Sequence, residues 1–322
     1  MIPNFPHGAS LPDISSRHPG SGARPRSGVP RASQSALGHG APGPSLWSEF
    51  WQEFCLENQP HERCHIPSDG RQAVDGHWAH FAASLPCGAH VIDLGCGAGI
   101  VGRTLLGHRK DLLVTGIDFA DVPIPNVENL TIHPWVSMEA LPFDDGRFDA
   151  AISLFGIEYG DIGKTAGELA RTLKRGGRFS FLVHHVESEI LCESSTRRRG
   201  LRDLLSPRVK AAFLSGNRVG LEQQTKRLCH QYPGEPSVRL FTNLLRRDVV
   251  RSRAERQSAW QNLLNGLHTE IALLTQLERS AKSAPEMGNW LVPLLPIMTA
   301  VGVSTLRRNS GEPIAWQVNG IR

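Results

Sequence analysis

What most narrows the fold is a glycine turn set between two kinds of periodicity. The apolar run HVIDL, residues 90–94, leads directly into Gly95, Cys96, Gly97, Ala98 and Gly99, and these open a segment with helical spacing. Glycine at alternate positions removes the Cβ atoms that would keep a ligand off the backbone. The free N–H groups at the start of the following helix then face whatever polar group sits there. A strand, a tight glycine turn and a helix in succession make the opening of a βαβ unit, which requires a parallel sheet. The turn alone does not identify a ligand, because several nucleotide-binding folds use one like it.

The rest of the chain continues that rhythm. Apolar runs predict strands over 90–95, 112–118, 129–133, 147–155 and 177–185, with helices over 71–84, 99–107 and 163–174, the last stopped by Gly176 and Gly177. Unbroken apolar runs, rather than strict alternation, indicate a sheet buried on both faces. Residues 195–283 break the pattern and read as helices. Residues 290–303 read as a buried helix feeding a strand; runs 299–308 and 313–321, joined through Asn309, Ser310, Gly311 and Glu312, then read as a hairpin. The expected fold is α/β: a Rossmann-like seven-stranded, mostly parallel sheet with an antiparallel C-terminal hairpin and a helical insertion before it. The expected division is a disordered tail over 1–45, a core over 46–190, a basic helical cap over 191–287, and a last helix and strand pair over 288–322.

Composition sets outer limits. The tail holds 8 Pro, 7 Gly and 8 Ser, too little apolar surface to offset the entropy of ordering it. Its four arginines also allow an organelle transit peptide, but the Pro and Gly content opposes the amphipathic helix such peptides form. No apolar stretch reaches the roughly 18 residues of a membrane span, so no membrane partner is expected. Cysteines 55, 64, 87, 96, 192 and 229 form no repeated CxxC, which points to reduced thiols and a cytoplasmic setting. Cys55, His61, Cys64 and His65 match no zinc spacing, so no metal is expected. Residues 195–283 carry 17 Lys+Arg against 7 Asp+Glu, an imbalance that suits an anionic partner and equally suits a solvated helix face.

A second chemical signal is Asp118, at the tip of the second strand and about 20 residues past the glycine turn, where a carboxylate can accept from both hydroxyls of a ribose. The plainer reading is a solvated turn aspartate. The segments VIDLGCGAGIVG, TGIDFA, ALPFDDGRFDAAIS and LARTLKRGGRFSFLV occur in the order, and near the spacing, of class I S-adenosylmethionine (SAM)-dependent methyltransferases. The resemblance covers residues 70–185 and the terminal PIAWQV, and is nearest the small-molecule group that includes quinone-biosynthesis C-methyltransferases. It implies S-adenosyl-L-methionine as cofactor. Asp93, Gly95, Cys96, Gly97 and Gly99 would then hold the methionine part, Asp118 the ribose, and Phe119 would flank the adenine. Phe155, at the end of the fourth strand, also belongs to the implied cofactor site. Where the family usually has an acid this sequence has Ser137, so Ser137 or the Met138 amide would reach the adenine edge, while Glu139 would face solvent. A nicotinamide enzyme fits less well, because its fingerprint places the last glycine elsewhere.

Methyl transfer requires alignment and exclusion of water more than covalent help, and a base only when the acceptor must lose a proton. Candidates are Glu158 and Tyr159 after the fourth strand and His184 and His185 at the end of the fifth, since ligands bind at the carboxyl edge of such sheets. Alternation along a strand means the two histidines should face opposite ways. The aromatic group Trp47, Phe50, Trp51 and Phe54 reads as core packing or as a cover over the site. Arg197, Arg198, Arg199, Arg246, Arg247, Arg251, Arg253 and Arg256 are candidate contacts to a carboxylate or phosphate on the acceptor. A small-molecule acceptor under the helical cap is the leading expectation. A nucleic-acid methyltransferase using the basic insertion, and a non-catalytic SAM-binding protein, are the alternatives. Oligomeric state cannot be read from the sequence.

Overall fold

A computed structural model describes residues 46–51 and 68–322. The tail and the Cys55–His65 group lie outside the described residues. A short helix, α1 (46–51), is followed by α2 (Ser68–Ala83), β1 (His90–Leu94), α3 (Ile100–His108), β2 (Leu113–Asp118) and β3 (Leu130–Pro134). Next come β4 (Phe148–Leu154), a 3-10 turn (Ile157–Tyr159), α4 (Ile162–Thr172) and β5 (Leu173–His184). Five helices then run in succession: α5 (Glu189–Leu204), α6 (Pro207–Ser215), α7 (Arg218–Gln231), α8 (Pro236–Asp248) and α9 (Arg253–Ser280). The chain ends with α10 (Ala284–Leu291), β6 (Ala300–Arg307) and β7 (Pro313–Ile321).

The seven strands form one sheet in the order β3-β2-β1-β4-β5-β7-β6. Strands β1 to β5 pair in parallel; β7 runs antiparallel to both β5 and β6. This is the expected Rossmann-like architecture. The order reverses between β1 and β4, so the connections leaving those strands diverge and open a crevice at their carboxyl ends. Apolar side chains fill both faces of the sheet, as the continuous apolar runs require. Trp78, Leu105 and Val114 belong to one layer, and Phe148, Leu169, Phe179 and Phe181 to the other. Burying each such side chain stabilises by ~1.5–3 kcal/mol. Helices α5 to α9 enclose a third core around Phe213, Trp260 and Leu267.

Two local expectations change. Helix α4 stops at Thr172 and the chain enters β5 at Leu173, before the glycines expected to end the helix. Gly176 has φ +78° and donates its amide to the carbonyl of Arg322, and the β4–β5 register shifts between Phe148 and Ala150. The glycines therefore make an irregularity within a strand, as glycine in strands often does. The helix expected over 290–303 ends at Leu291 and gives way to turns, because Pro293 and Pro296 have no N–H to continue it.

Candidate functional site

The glycine turn is held in a shape only glycine accepts. Gly95, Gly97 and Gly99 have φ of +66°, +51° and +73°. A Cβ on Gly95 would lie 2.9 Å from the Cα of Gly156, and one on Gly156 would lie 2.7 Å from the carbonyl oxygen of Leu94. The turns after β1 and β4 thus touch backbone to backbone across the crevice. Ser153 fixes that approach: its hydroxyl donates to Leu94 O at 2.7 Å and accepts from the Ile157 amide at 2.9 Å.

Two carboxylates face the turn. Asp118 Oδ2 accepts from the Gly97 amide and Oδ1 from the Ala120 amide, both at 2.9 Å. A carboxylate has about four acceptor sites, so these two bonds leave capacity for ligand hydroxyls. Burial raises the pKa of Asp118, and the backbone amides draw it partly back. Asp93 is 1% exposed, and neither of its oxygens has a well-formed hydrogen bond among the described residues. Burial, with the neighbouring Asp118 charge, pushes its pKa up to about 8. A buried acid without a partner is costly unless a ligand completes it. Cys96 is buried beside Gly116, and burial keeps it a thiol.

The other half of the crevice gathers Phe155, Glu158, Tyr159 and His184. Phe155 adopts φ +54°, a conformation that costs a non-glycine residue free energy and persists only when its surroundings enforce it. Its ring stacks on His184 at 4.0 Å and 4°. Glu158 Oε1 accepts from the His184 amide at 3.0 Å. Glu158 and His184 are 6% and 4% exposed, yet Glu158 Oε2 and His184 Nδ1 have no partner among the described residues. Burial lifts Glu158 to about 7 and depresses His184 to about 3; it also raises Tyr159 well above the usual phenol range, with the Glu158 charge adding to the effect. His185 turns the other way: it stacks on Trp316 at 4.5 Å and accepts from the Glu187 amide through Nδ1. Of the two histidines, the site therefore has only His184.

The sequence assigns no role to Gly156 or Lys282, and leaves Trp47 and Trp51 between core packing and a cover. Gly156 shapes the turn that meets Gly95. Trp51, read mainly as core, lies so close to Gly97 that a Cβ there would sit 2.2 Å from its indole; on the same helix, Trp47 packs edge-on against Tyr159 at 5.1 Å. The Ser48 hydroxyl anchors this helix by accepting from the Asp121 amide at 2.8 Å. Lys282, just past α9, forms a bridge with His185, and its amide donates to His184 O at 2.9 Å. Its ammonium donates to Ser280 O and acts electrostatically on both Glu158 and His184. No local motif marks Lys282 in the sequence; only the return of the chain from α9 to the end of β5 brings it here.

Ser137 and Phe119, expected from the resemblance to reach the adenine, are half-buried beyond β3 and β2. Ser137 Oγ accepts from the Glu139 amide at 3.2 Å, and the Met138 side chain packs into the second sheet layer. Glu139 does not simply face solvent: it accepts from the Asp161 amide and pairs with Lys164 at 3.2 Å, tying this turn to α4. Most of the candidate arginines are held within the bundle. Arg197 pairs with Glu235, Arg198 with Glu278, Arg246 with Glu222, and Arg247 and Arg251 with Asp248; Arg256 donates to Leu214 O.

Residues 92–181 match the family model for the methyltransferase domain. With the sheet order and the glycine turn, they are a class I S-adenosylmethionine-dependent methyltransferase domain. Among curated relatives, the tRNA (carboxymethyluridine(34)-5-O)-methyltransferase alkbh8 of Xenopus tropicalis is 36% identical over 115 residues, covering 34% of this chain and 18% of that protein. The malonyl-[acyl-carrier protein] O-methyltransferase of Acetivibrio thermocellus is 29% identical over 119 residues, covering 35% of this chain and 42% of that protein. The chain thus spans well under half the length of both. The solved YcgJ protein of Bacillus subtilis shares 17% identity over 78% of this chain and 98% of its own, with a TM-score of 0.35. The site's chemistry fits the cofactor that the domain class implies. Asp93 lacks a partner of the kind an ammonium supplies.

Proposed function

We propose that the chain is a SAM-dependent methyltransferase acting on a small-molecule acceptor that carries an anionic group, bound beneath the α5–α9 bundle. The observation that carries this reading is the buried Asp93, neither of whose oxygens has a well-formed hydrogen bond among the described residues, at the base of a glycine turn that a methyltransferase-domain match spans. Asp93 would meet the cofactor's amino group, Gly95 to Gly99 its methionine chain, Asp118 its ribose, and Phe119, Ser137 and the Met138 amide its adenine. Phe155, held in its left-handed conformation against His184, would divide the cofactor side from the acceptor side. When bound, S-adenosylmethionine supplies an already activated methyl group. Glu158, Tyr159 and His184 would line the acceptor, and Trp47 and Trp51 would exclude water from above. Excluding water and fixing alignment are the main demands of such a transfer.

Calorimetric titration with SAM and S-adenosylhomocysteine tests the reading. Wild-type protein should bind both, and Asp118→Ala should weaken binding at least tenfold. Folded wild-type protein that binds neither would sink the proposal.

A tRNA acceptor is the second reading, because one relative's name specifies a tRNA methyltransferase. Five of the eight candidate arginines pair with acids of the same bundle, which reduces the cationic surface left to track a phosphate backbone. Binding of total tRNA that weakens steeply with salt would favour it.

A further inference from the structure

Five of the eight candidate arginines of the bundle are already paired with its acids. Lys282 is a cation whose charge acts on both Glu158 and His184. Its backbone is joined to the end of β5 by Lys282 N to His184 O at 2.9 Å and Val186 N to Lys282 O at 3.2 Å, and Trp316 Nε1 donates to its carbonyl at 2.7 Å. That leaves its position little freedom. Its side chain is half-buried and, among the described residues, its ammonium donates to a neutral carbonyl, that of Ser280. Around it stand Glu158 with an open Oε2, His184 with an open Nδ1, the Tyr159 hydroxyl in contact with Ser280, and Glu286 further along the chain.

We infer that Lys282, with Glu158 and Tyr159, forms a carboxylate-binding subsite, and that the methyl acceptor is a carboxylate oxygen. This rests on the methyltransferase reading above. A half-buried ammonium is stabilised by an anion, and a carboxylate can take bonds from Lys282 and Tyr159 on one oxygen while presenting the other. Burial holds the Glu158 carboxyl up to about 7, so near neutrality it is partly protonated, and Glu286 is the other acid whose charge reaches Lys282. His184, depressed to about 3 by burial, is too weak a base to ionise an alcohol. A carboxylate avoids that requirement because it is already ionised. In the transfer, the acceptor's oxygen forms the new O–CH3 bond as the methyl–sulfur bond of S-adenosylmethionine breaks, its electron pair passing to sulfur. The acceptor loses its negative charge, the donor loses its positive charge, and no proton moves. Two relatives carry names specifying O-methylation, one of a carboxymethyl nucleoside and one of a malonyl group, both bearing a carboxyl.

The test uses the full chain in two arms. First, protein is incubated with methyl-labelled SAM and a protein-free metabolite extract, and products are treated with mild alkali. Methyl esters release their label as volatile methanol, whereas ethers and methylamines keep it. Second, S-adenosylhomocysteine-saturated protein is titrated with 5-carboxymethyluridine and a malonyl thioester, each beside its methyl ester. We expect alkali-labile product, and tighter binding of at least one acid than of its ester. Lys282→Met should lower both turnover and acid binding at least tenfold, Lys282→Arg should restore most of the binding, and S-adenosylhomocysteine affinity should stay within twofold in both variants. Alkali-stable label, no product from protein that binds SAM, or acid binding unchanged in Lys282→Met would each overturn the inference. Loss of cofactor binding by the wild type would instead fail the methyltransferase reading beneath it.

Discussion

At the scale of single residues, the site is organised by groups whose burial exceeds their bonding. Asp93 in the free protein titrates near pH 8, and an ammonium placed against it would favour its ionised form. Binding should therefore release a proton below that pH, and SAM affinity should rise from pH 6 to pH 8. Calorimetry in buffers of different ionisation heat will show the release; Asp93→Asn should flatten the pH dependence and weaken binding at all pH values. The same raised pKa gives a stability effect of definite sign. The folded protein binds the Asp93 proton more tightly than the unfolded chain, so this contribution is complete below the ordinary aspartate range and is lost as pH rises towards 8. Asp93→Asn should remove that part of the fall in stability between pH 4 and pH 8, read from urea midpoints. Gly156→Ala should destabilise by ~1–3 kcal/mol and impair SAM binding, because its Cβ would collide with backbone that cannot yield. Asp93, the glycines and Asp118 were legible in the sequence because one short stretch and one strand tip carry them. Lys282 was not, since its role depends on where a distant helix returns the chain.

At the scale of elements, strand and helix order followed directly from apolar runs separated by glycine turns. The departures came where one residue type serves two purposes. Gly176 and Gly177 suit a helix end and a strand irregularity equally, and only pairing with β4 and Arg322 decides between them. Helix α1 had the same ambiguity: aromatic residues at helical spacing describe a core face and a cover alike. Here Trp47 and Trp51 reach Tyr159 and Gly97, spanning both halves of the crevice. Trp51→Ala should weaken SAM binding about tenfold, equivalent to ~1.4 kcal/mol. The melting temperature should move by only a few degrees, since Trp51 lies at the edge of the core. Equal losses of affinity and of melting temperature beyond that range would mark the helix as structural instead.

At the scale of the whole molecule, the bundle's charge excess is matched in part from within. The bundle is rich in arginine, and five of these pair with its acids, as Arg197 and Glu235 show at 3.1 Å with both side chains largely buried. A count of charges cannot distinguish a cationic surface from an internally matched one. Among the described residues no helix is long and apolar enough to cross a membrane. The bundle also has its own core, so damage to it should stay local: Trp260→Ala should cost ~3–5 kcal/mol of bundle stability while SAM affinity changes less than twofold. Hydrogen exchange resolved by peptide will show whether protection is lost in α5–α9 alone.

The bridge between His185 and Lys282 has a consequence for how such a chain is assembled. It brings the start and finish of the excursion side by side, so the sheet sees a closed loop whose size it need not sense. A lineage could lengthen, shorten or exchange that excursion without re-threading a strand, and each exchange would present a different residue at the seam. On that view the methyltransferase domain is a socket, and the identity of the side chain at position 282 is the part of the plug that touches the chemistry.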